Sequence, residues 1–233
     1  MTSLAELARE HSMLERDDID HLHRLTAEWG FLADLCFADL LLYVRSGADK
    51  WMIVDQVRPA TNQTMYVTDY IGTWADGDEA DLIEQAAASC QRVEGAIEVD
   101  GGTEEVNHGR MLAIPVRRDD RLIAVLTKEW RVRAGRPLGE LERNYSYIFE
   151  EFVQMIEAGS FPFAGRAADS SAAPRVGDGV LTLDSSGTVT YVSPNANSAL
   201  HRVGIQASAI GMRLAELGFH DGPVRQAFER QVP

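Results

Sequence analysis

The 233 residues are 45% hydrophobic and 25% charged, proportions that suit one large or two ordinary folded domains and exclude wholesale disorder or a fibrous repeat. Twenty-two Lys and Arg against 36 Asp and Glu leave a net charge of −14, so the averaged surface repels phosphate backbones and no nucleic-acid partner is expected. The most apolar run, Phe31 to Val44, is interrupted by Asp34 and Asp39 and falls short of the roughly 18 apolar residues that a bilayer crossing requires, so no membrane partner is expected either.

The amino terminus has neither the basic start nor the apolar segment of a secretion signal, which points to a cytoplasmic location. Ser3 and Glu6 have capping-box spacing ahead of Leu4, Leu7, Met13 and Leu14, predicting a short first helix. Asp17 or Asp18 can cap a second helix, in which Leu22, Leu25, Trp29, Leu32 and Cys36 recur at three- and four-residue steps along one buried face. The texture then becomes β-like. Leu40 to Arg45 and Trp51 to Val57 form a predicted hairpin across Ser46-Gly47-Ala48-Asp49, with Thr64 to Thr68 as a third strand. A helix spans Asp78 to Gln91, and Asp78 lies near its positive end. Val93 to Gly109 shows no regular pattern. Met111 to Arg117 and Leu122 to Trp130 are strong strands flanking the polar turn Arg118-Asp119-Asp120-Arg121, and a long helix from Leu138 to Ala158 follows Pro137.

In that last helix Leu141, Tyr145, Ile148, Phe152 and Met155 form one stripe, which Phe149 and Ile156 widen. A helix lying on a single sheet needs a single apolar face, so the extra width points to a helical homodimer seam; the alternative is a helix sunk deeper in its own domain. Residues 159–177 are rich in Gly, Ala, Ser and Pro, and mark a linker. Beyond it, Val180 to Leu183 and Thr188 to Val192 flank the turn Asp184-Ser185-Ser186-Gly187. Pro194-Asn195 then opens a helix, and Leu214 to Leu217 forms another helical piece. The expected division is a first domain over 1–160, a linker over 161–177 and a shorter second module over 178–233.

Phosphate-cradling glycine motifs and a G-x-S-x-G elbow are missing, which removes the best support for nucleotide hydrolysis and serine-esterase chemistry. Adjacent carboxylates such as Asp17-Asp18, Glu104-Glu105 and Glu150-Glu151 do not face each other as acid and base, so no catalytic residue is assigned. His21 and His23, two apart on a helix, point to different faces, and Cys36 and Cys90 read as buried free thiols; no metal site is assigned. The candidates for ligand contact are few. Trp74 lies in a predicted loop, where it either meets a ligand or packs. Arg58 at a strand end suits an anion or a surface salt bridge, and Asn107, His108 and Arg110 either line a cleft or form an exposed turn.

The order of helix, antiparallel sheet and long exit helix resembles a GAF domain. Asp184, Gly187, Val189, Tyr191, Pro194, Asn195, Ala196 and Leu200, with Gly211, Leu214 and Leu217, resemble the opening of a PAS domain in which Asn195 caps the helix. The fold class is therefore α+β: a GAF-like antiparallel sheet with flanking helices, a linker, and a truncated PAS-like α/β segment. The chain as a whole is similar to the sensory half of PdtaS-type two-component histidine kinases. The resemblance rests on Asp20-His21-Leu22-His23, Glu28-Trp29, Leu32 to Leu35, Phe37 to Asp39, Arg58-Pro59, Asp69, Ile123 to Thr127, Gly159, Phe161-Pro162, Pro174 to Gly179, Ser193 to Ala196 and His201-Arg202. It implies signal input from a small ligand or redox cue, relayed through a homodimer to a kinase core that takes ATP and Mg and passes phosphate to a response regulator. None of the six histidines sits in a matching phosphoacceptor motif. This chain is accordingly expected to be no enzyme by itself and to hold no cofactor beyond a small-molecule ligand. The alternative is a free-standing GAF-type small-molecule binding protein or enzyme.

Overall fold

The computed structural model describes residues 3–47, 50–100, 106–132, 138–163 and 174–229, and the chain divides into two compact units, 1–173 and 174–233. In the first unit, helix α1 (Leu4–His11) is opened by the expected capping box: Glu6 N–H donates to Ser3 Oγ at 3.3 Å, and Ser3 N–H donates to Glu6 Oε2 at 2.8 Å. It ends sooner than the apolar spacing predicts. Ser12 Oγ turns back to donate to the Ala8 carbonyl at 2.6 Å, and Met13 lies outside the helix with 86% of its surface exposed.

Helix α2 (Arg16–Cys36) is capped at Glu15, two or three residues before the predicted cap, because Asp18 bonds backwards to the Glu15 N–H at 3.0 Å. The same carboxylate is fully buried and receives Arg118 at 3.0 Å and Arg121 at 2.6 Å, fastening the helix to the far β-hairpin. Leu22, Leu25 and Leu32 on its predicted face are all fully buried, each contributing roughly 1.5–3 kcal/mol relative to exposure.

Five antiparallel strands follow in the spatial order β2-β1-β5-β4-β3. They are β1 (Asp39–Arg45), β2 (Trp51–Val57), β3 (Val93–Asp100), β4 (Val106–Arg118) and β5 (Arg121–Arg131). The β4–β5 turn places Asp119 and Asp120 at φ 50° and 61°, two successive left-handed residues whose twist matches the flanking strands. Alternation along β1 sends Leu41 and Tyr43 to one face of the sheet and Leu40, Leu42 and Val44 to the other.

Two predicted features are corrected. Thr64 to Thr68 is no strand; its backbone bonds to side chains, with Met65 N–H on Asp39 Oδ2 at 2.6 Å and Thr68 O accepting from Arg58 at 2.8 Å. Val93–Asp100, read as irregular, is the edge strand β3, paired residue for residue with β4. Gly95 hides it from a pattern search and lets helix α3 (Gly77–Ser89) come close, since a Cβ would sit 2.6 Å from the Leu82 side chain, which would have to shift.

Helix α3 covers one face of the sheet, packing on β3, β4 and β5. Helix α4 (Glu140–Glu157) packs on β4 and α2. Part of the wide apolar stripe of α4 is thereby covered within the domain. Tyr145, Phe149, Val153 and Ile156 are buried within the domain, and Tyr145 stacks on Phe37 at 6.0 Å. Pro137, the predicted helix start, lies outside the described residues, and the helix is entered through Gly139.

In the second unit, β6 (Leu181–Leu183) and β7 (Val189–Val192) form a hairpin whose turn is tied by Asp184 Oδ1, which accepts from Ser186 N–H at 2.9 Å and Thr188 N–H at 3.0 Å. Helix α5 (Pro194–Arg202) is capped by Ser193, whose Oγ accepts from Ala196 N–H at 3.2 Å, and not by Asn195. Residues 214–217 form a turn in place of the predicted helical piece, followed by helix α6 (Gly222–Glu229). Val189, Leu200, Ala209 and Leu217 make a small core.

Candidate ligand-binding site

Between α3 and its face of the sheet lies a cavity of about 680 Å³, within the range of small-molecule sites. Leu41, Ile53 and Ile97 give it an apolar floor; Tyr66, Tyr70 and Trp74 supply aromatic walls; Asp76, Gly77, Asp78, Glu79 and Glu98 border it. The wall is built from the long β2–α3 connection, and side chains hold that connection in place. Asp34 Oδ1 receives Ala60 N–H at 2.7 Å, and Asn62 Nδ2 donates to Phe37 O at 2.6 Å. Asp39 receives Thr64 Oγ1 and Met65 N–H, each at 2.6 Å. Further along, Gly72 N–H donates to Ile53 O at 2.8 Å and Ala75 N–H to Trp51 O at 2.8 Å, so residues 72–75 lie along the free edge of β2.

Behind the aromatic wall is a buried network of phenols and carboxylates. Tyr43 donates to Glu79 at 2.5 Å, Tyr66 donates to Glu129 Oε2, and Thr127 donates to Glu129 Oε1 at 2.6 Å. Burial, reinforced by the nearby Glu79 charge, pushes the Glu129 carboxyl up to about 8. Glu79 is raised chiefly by burial, and Tyr43 and Tyr66 are raised by burial and the adjacent carboxylates. The Cys36 thiol, buried against apolar neighbours, is pushed up to about 12 and stays protonated. Cys90 is exposed, contrary to the sequence expectation. Among the described residues no group of three His, Cys, Asp or Glu is placed to hold a metal ion.

Of the predicted contacts, Trp74 lines this cavity, at its mouth and 42% exposed, with His11 of α1 packed edge-on at 5.9 Å. Arg58 is not among the lining residues. It clamps the wall from behind, pairing with Asp69 at 2.7 Å while donating to the carbonyls of Thr68 at 2.8 Å and Tyr66 at 3.4 Å. Asn107, His108 and Arg110 fall within β4 and form no turn, and His108 and Arg110 are not among the described lining residues. His108 is exposed, and Arg110 pairs with Glu94 at 2.7 Å; the side chain of Asn107 lies outside the described residues. The residues missed from sequence are Tyr66, Tyr70 and the Asp76–Glu79 acids. The only local sign of the acids was their place in the first turn of a helix.

On α4, Tyr145 and Ile148 are buried in the domain, Leu141 is 39% exposed, and Met155 is half-buried. Phe152 meets Phe31 and Phe161 edge-on at 6.0 and 5.0 Å.

The family described as the GAF domain of histidine kinase PdtaS matches residues 4–148. The chain belongs to that family. The PdtaS sensor histidine kinase of Mycobacterium tuberculosis is 37% identical over 218 residues, covering 93% of this chain and 43% of that protein. The PdtaS of Mycolicibacterium smegmatis is 35% identical over 217 residues, covering 93% of this chain and 44% of that one. The chain thus spans less than half the length of the curated relatives it matches. A solved structure described as the sensor region of a sensor histidine kinase superposes with a TM-score of 0.77 at 33% identity, covering 98% of this chain and 80% of that one. Within the PdtaS-like sequence, Asp34, Asp39, Arg58 and Asp69, all among the residues that carried the resemblance, turn out to be the anchors of the cavity wall.

Proposed function

We propose that this chain is the signal-input region of a cytoplasmic two-component sensor histidine kinase, and that the cavity between α3 and the sheet takes a small ligand. The observation that carries the reading is the attachment of the cavity wall to α2: a ligand that shifts residues 60–76 pulls on Asp34 in the last turns of that helix. Helix α2 packs on α4, so the wall and both long helices are in mechanical contact. A ligand biases such a switch only by its differential affinity for two arrangements. The cavity supports a ligand cue, and Cys36, protonated and buried, gives no support to a redox cue; the exposed Cys90 is the thiol on which a redox cue would have to act. No helix among the described residues is long and apolar enough to cross a membrane, in keeping with a cytoplasmic sensor.

The remaining parts of the proposal come from the PdtaS resemblance. The shorter unit is the start of a PAS relay, the chain pairs as a homodimer, and an ATP- and Mg-dependent kinase core elsewhere in the longer protein phosphorylates a response regulator. The dimer surface is best sought on the outer side of α4 and its approach, where Leu138, Leu141 and Tyr147 are 55%, 39% and 65% exposed. Phe152 is a poor probe, since its ring holds α2 and α4 together. Native mass spectrometry of the 233-residue chain and of Tyr147→Asp tests the reading. A dimer carrying extra mass, reduced to monomer by the substitution, is the expected result; a bare monomer in both samples counts against it.

A further inference from the structure

We propose that this cavity selects a small organic cation, an amine or quaternary ammonium group on an apolar body; the inference rests on reading the cavity as the ligand site. Charge is the first ground. Asp76, Asp78, Glu79 and Glu98 border the cavity, and none of the described residues lining it is lysine, arginine or histidine. An anion entering here sheds its water without meeting a cationic partner, which is costly in a partly enclosed site. The amino terminus of α3 does present a positive end, equivalent to about half a charge. Asp78 and Glu79 already occupy its first turn, so the balance at the mouth remains negative.

The hydrogen-bonding polarity points the same way. Of the lining phenols, Tyr66 already donates to Glu129, and Glu79 at the border already accepts from Tyr43, which lies outside the lining. The side-chain oxygens of the bordering acids are acceptors, and an ammonium group supplies what they lack. The walls complete the match. Tyr66 and Tyr70 stand edge to face at 5.2 Å and 63°, with Trp74 at the mouth, and aromatic faces attract cations most strongly where water is displaced. Leu41, Ile53 and Ile97 provide the apolar floor for the rest of the molecule. A bare metal ion is disfavoured, because among the described residues no three potential ligands converge.

The test uses three solutes of one shape and different charge: choline, its neutral analogue 3,3-dimethylbutan-1-ol, and 3,3-dimethylbutanoate. Each is titrated into the 233-residue chain at low salt while NMR follows the Trp74 indole and the backbone amides of residues 70–79. Choline is expected to move these signals with an affinity at least tenfold above the other two. Asp76→Asn with Asp78→Asn, both exposed side chains, should weaken choline about two- to thirtyfold, the range given by two partly screened charges. If the alcohol or the carboxylate binds there as tightly, the cavity stands as a ligand site and the cation preference is overturned. Choline binding that ignores the double substitution overturns it too. If none of the three moves these signals in the folded chain, the cavity fails as a ligand site and the cation preference fails with it.

Discussion

Asp34 Oδ1 accepts the Ala60 N–H at 2.7 Å, joining the last turns of α2 to the connection that walls the cavity. Asp34 is buried, and its own carbonyl also receives Thr61 Oγ1 at 2.9 Å. Ala60 is exposed, so removing the carboxylate costs the net contribution of one hydrogen bond to a charged group, about 1.5 kcal/mol. Asp34→Ala should lower the melting temperature by roughly 2–4 °C for each kcal/mol lost. Hydrogen exchange should quicken at residues 59–65 while the β4–β5 ladder keeps its protection. Uniform acceleration across the sheet would show that Asp34 supports the whole fold and not this attachment.

Arg58 closes the same wall further along. Its guanidinium spans Asp69, the Thr68 carbonyl and the Tyr66 carbonyl, so one side chain fixes the backbone on either side of Val67. The ion pair is partly solvated and contributes little to global stability, about 1 kcal/mol or less. Arg58→Ala should therefore leave the melting temperature within a few degrees of the parent while opening residues 65–70 to limited proteolysis. Arg58→Lys keeps the charge but not the fork, and should restore only part of the protection. Proteolysis unchanged in Arg58→Ala would remove the clamp from the account.

The parts of this architecture that repeat locally were legible in the sequence. Leu22 to Cys36 show the helical period, and Met111 to Arg117 with Leu122 to Trp130 show strand runs about a polar turn, because each element has one face that must be buried. Strand β3 escaped because its pattern is set by its neighbour: Gly95 stands where α3 comes close, and the pairing partner begins only at Val106. The connection over residues 58–76 escaped for a related reason. Its backbone is satisfied by the side chains of Asp34 and Asp39, 26 residues ahead of the amides they hold, and of Arg58 at its own start, and no period records such bonds. The loop context of Trp74 left ligand contact and packing both open, and the residue lines the cavity mouth while packing edge-on against His11. The acids at Asp76, Asp78 and Glu79 read locally as ordinary helix-start residues, and only the sheet opposite gives them a second role.

Acid–base behaviour should divide between two buried groups. Glu129, raised to about 8 by burial and the Glu79 charge, binds a proton in the folded chain that it loses near 4.5 when unfolded. Its contribution is complete below about 4.5 and is lost as the pH rises through about 8. His21, lowered to about 4 by burial with help from Arg24 and Arg118, acts in the opposite direction: it costs stability as the pH falls from 6.5 toward 4. Glu129→Gln removes the first effect and leaves the second. Melting temperatures of the two proteins measured from pH 5 to pH 8 should show the variant gaining on the parent as the pH rises. Parallel curves would mean that Glu129 is ionised in the folded chain at neutral pH.

Gly179 gives a prediction confined to the shorter unit. Its φ of 111° and ψ of 147° lie in a region open essentially to glycine alone, and a side chain held there costs about 1–3 kcal/mol. The space is closed as well. A Cβ would stand 2.7 Å from Ala196 Cα and 2.8 Å from its nitrogen, backbone atoms of α5 that cannot yield as a side-chain tip can. Ala196 N–H is the donor to the Ser193 cap, so displacing it also undoes the start of the helix. The core that must absorb this strain is small, built around Val189, Leu200, Ala209 and Leu217, and a unit of this size has little stability to spare. Gly179→Ala should broaden or erase the dispersed NMR signals of residues 176–217 and leave those of the five-stranded sheet in place. Loss of signals from both units together would instead show that the two fold as one cooperative body.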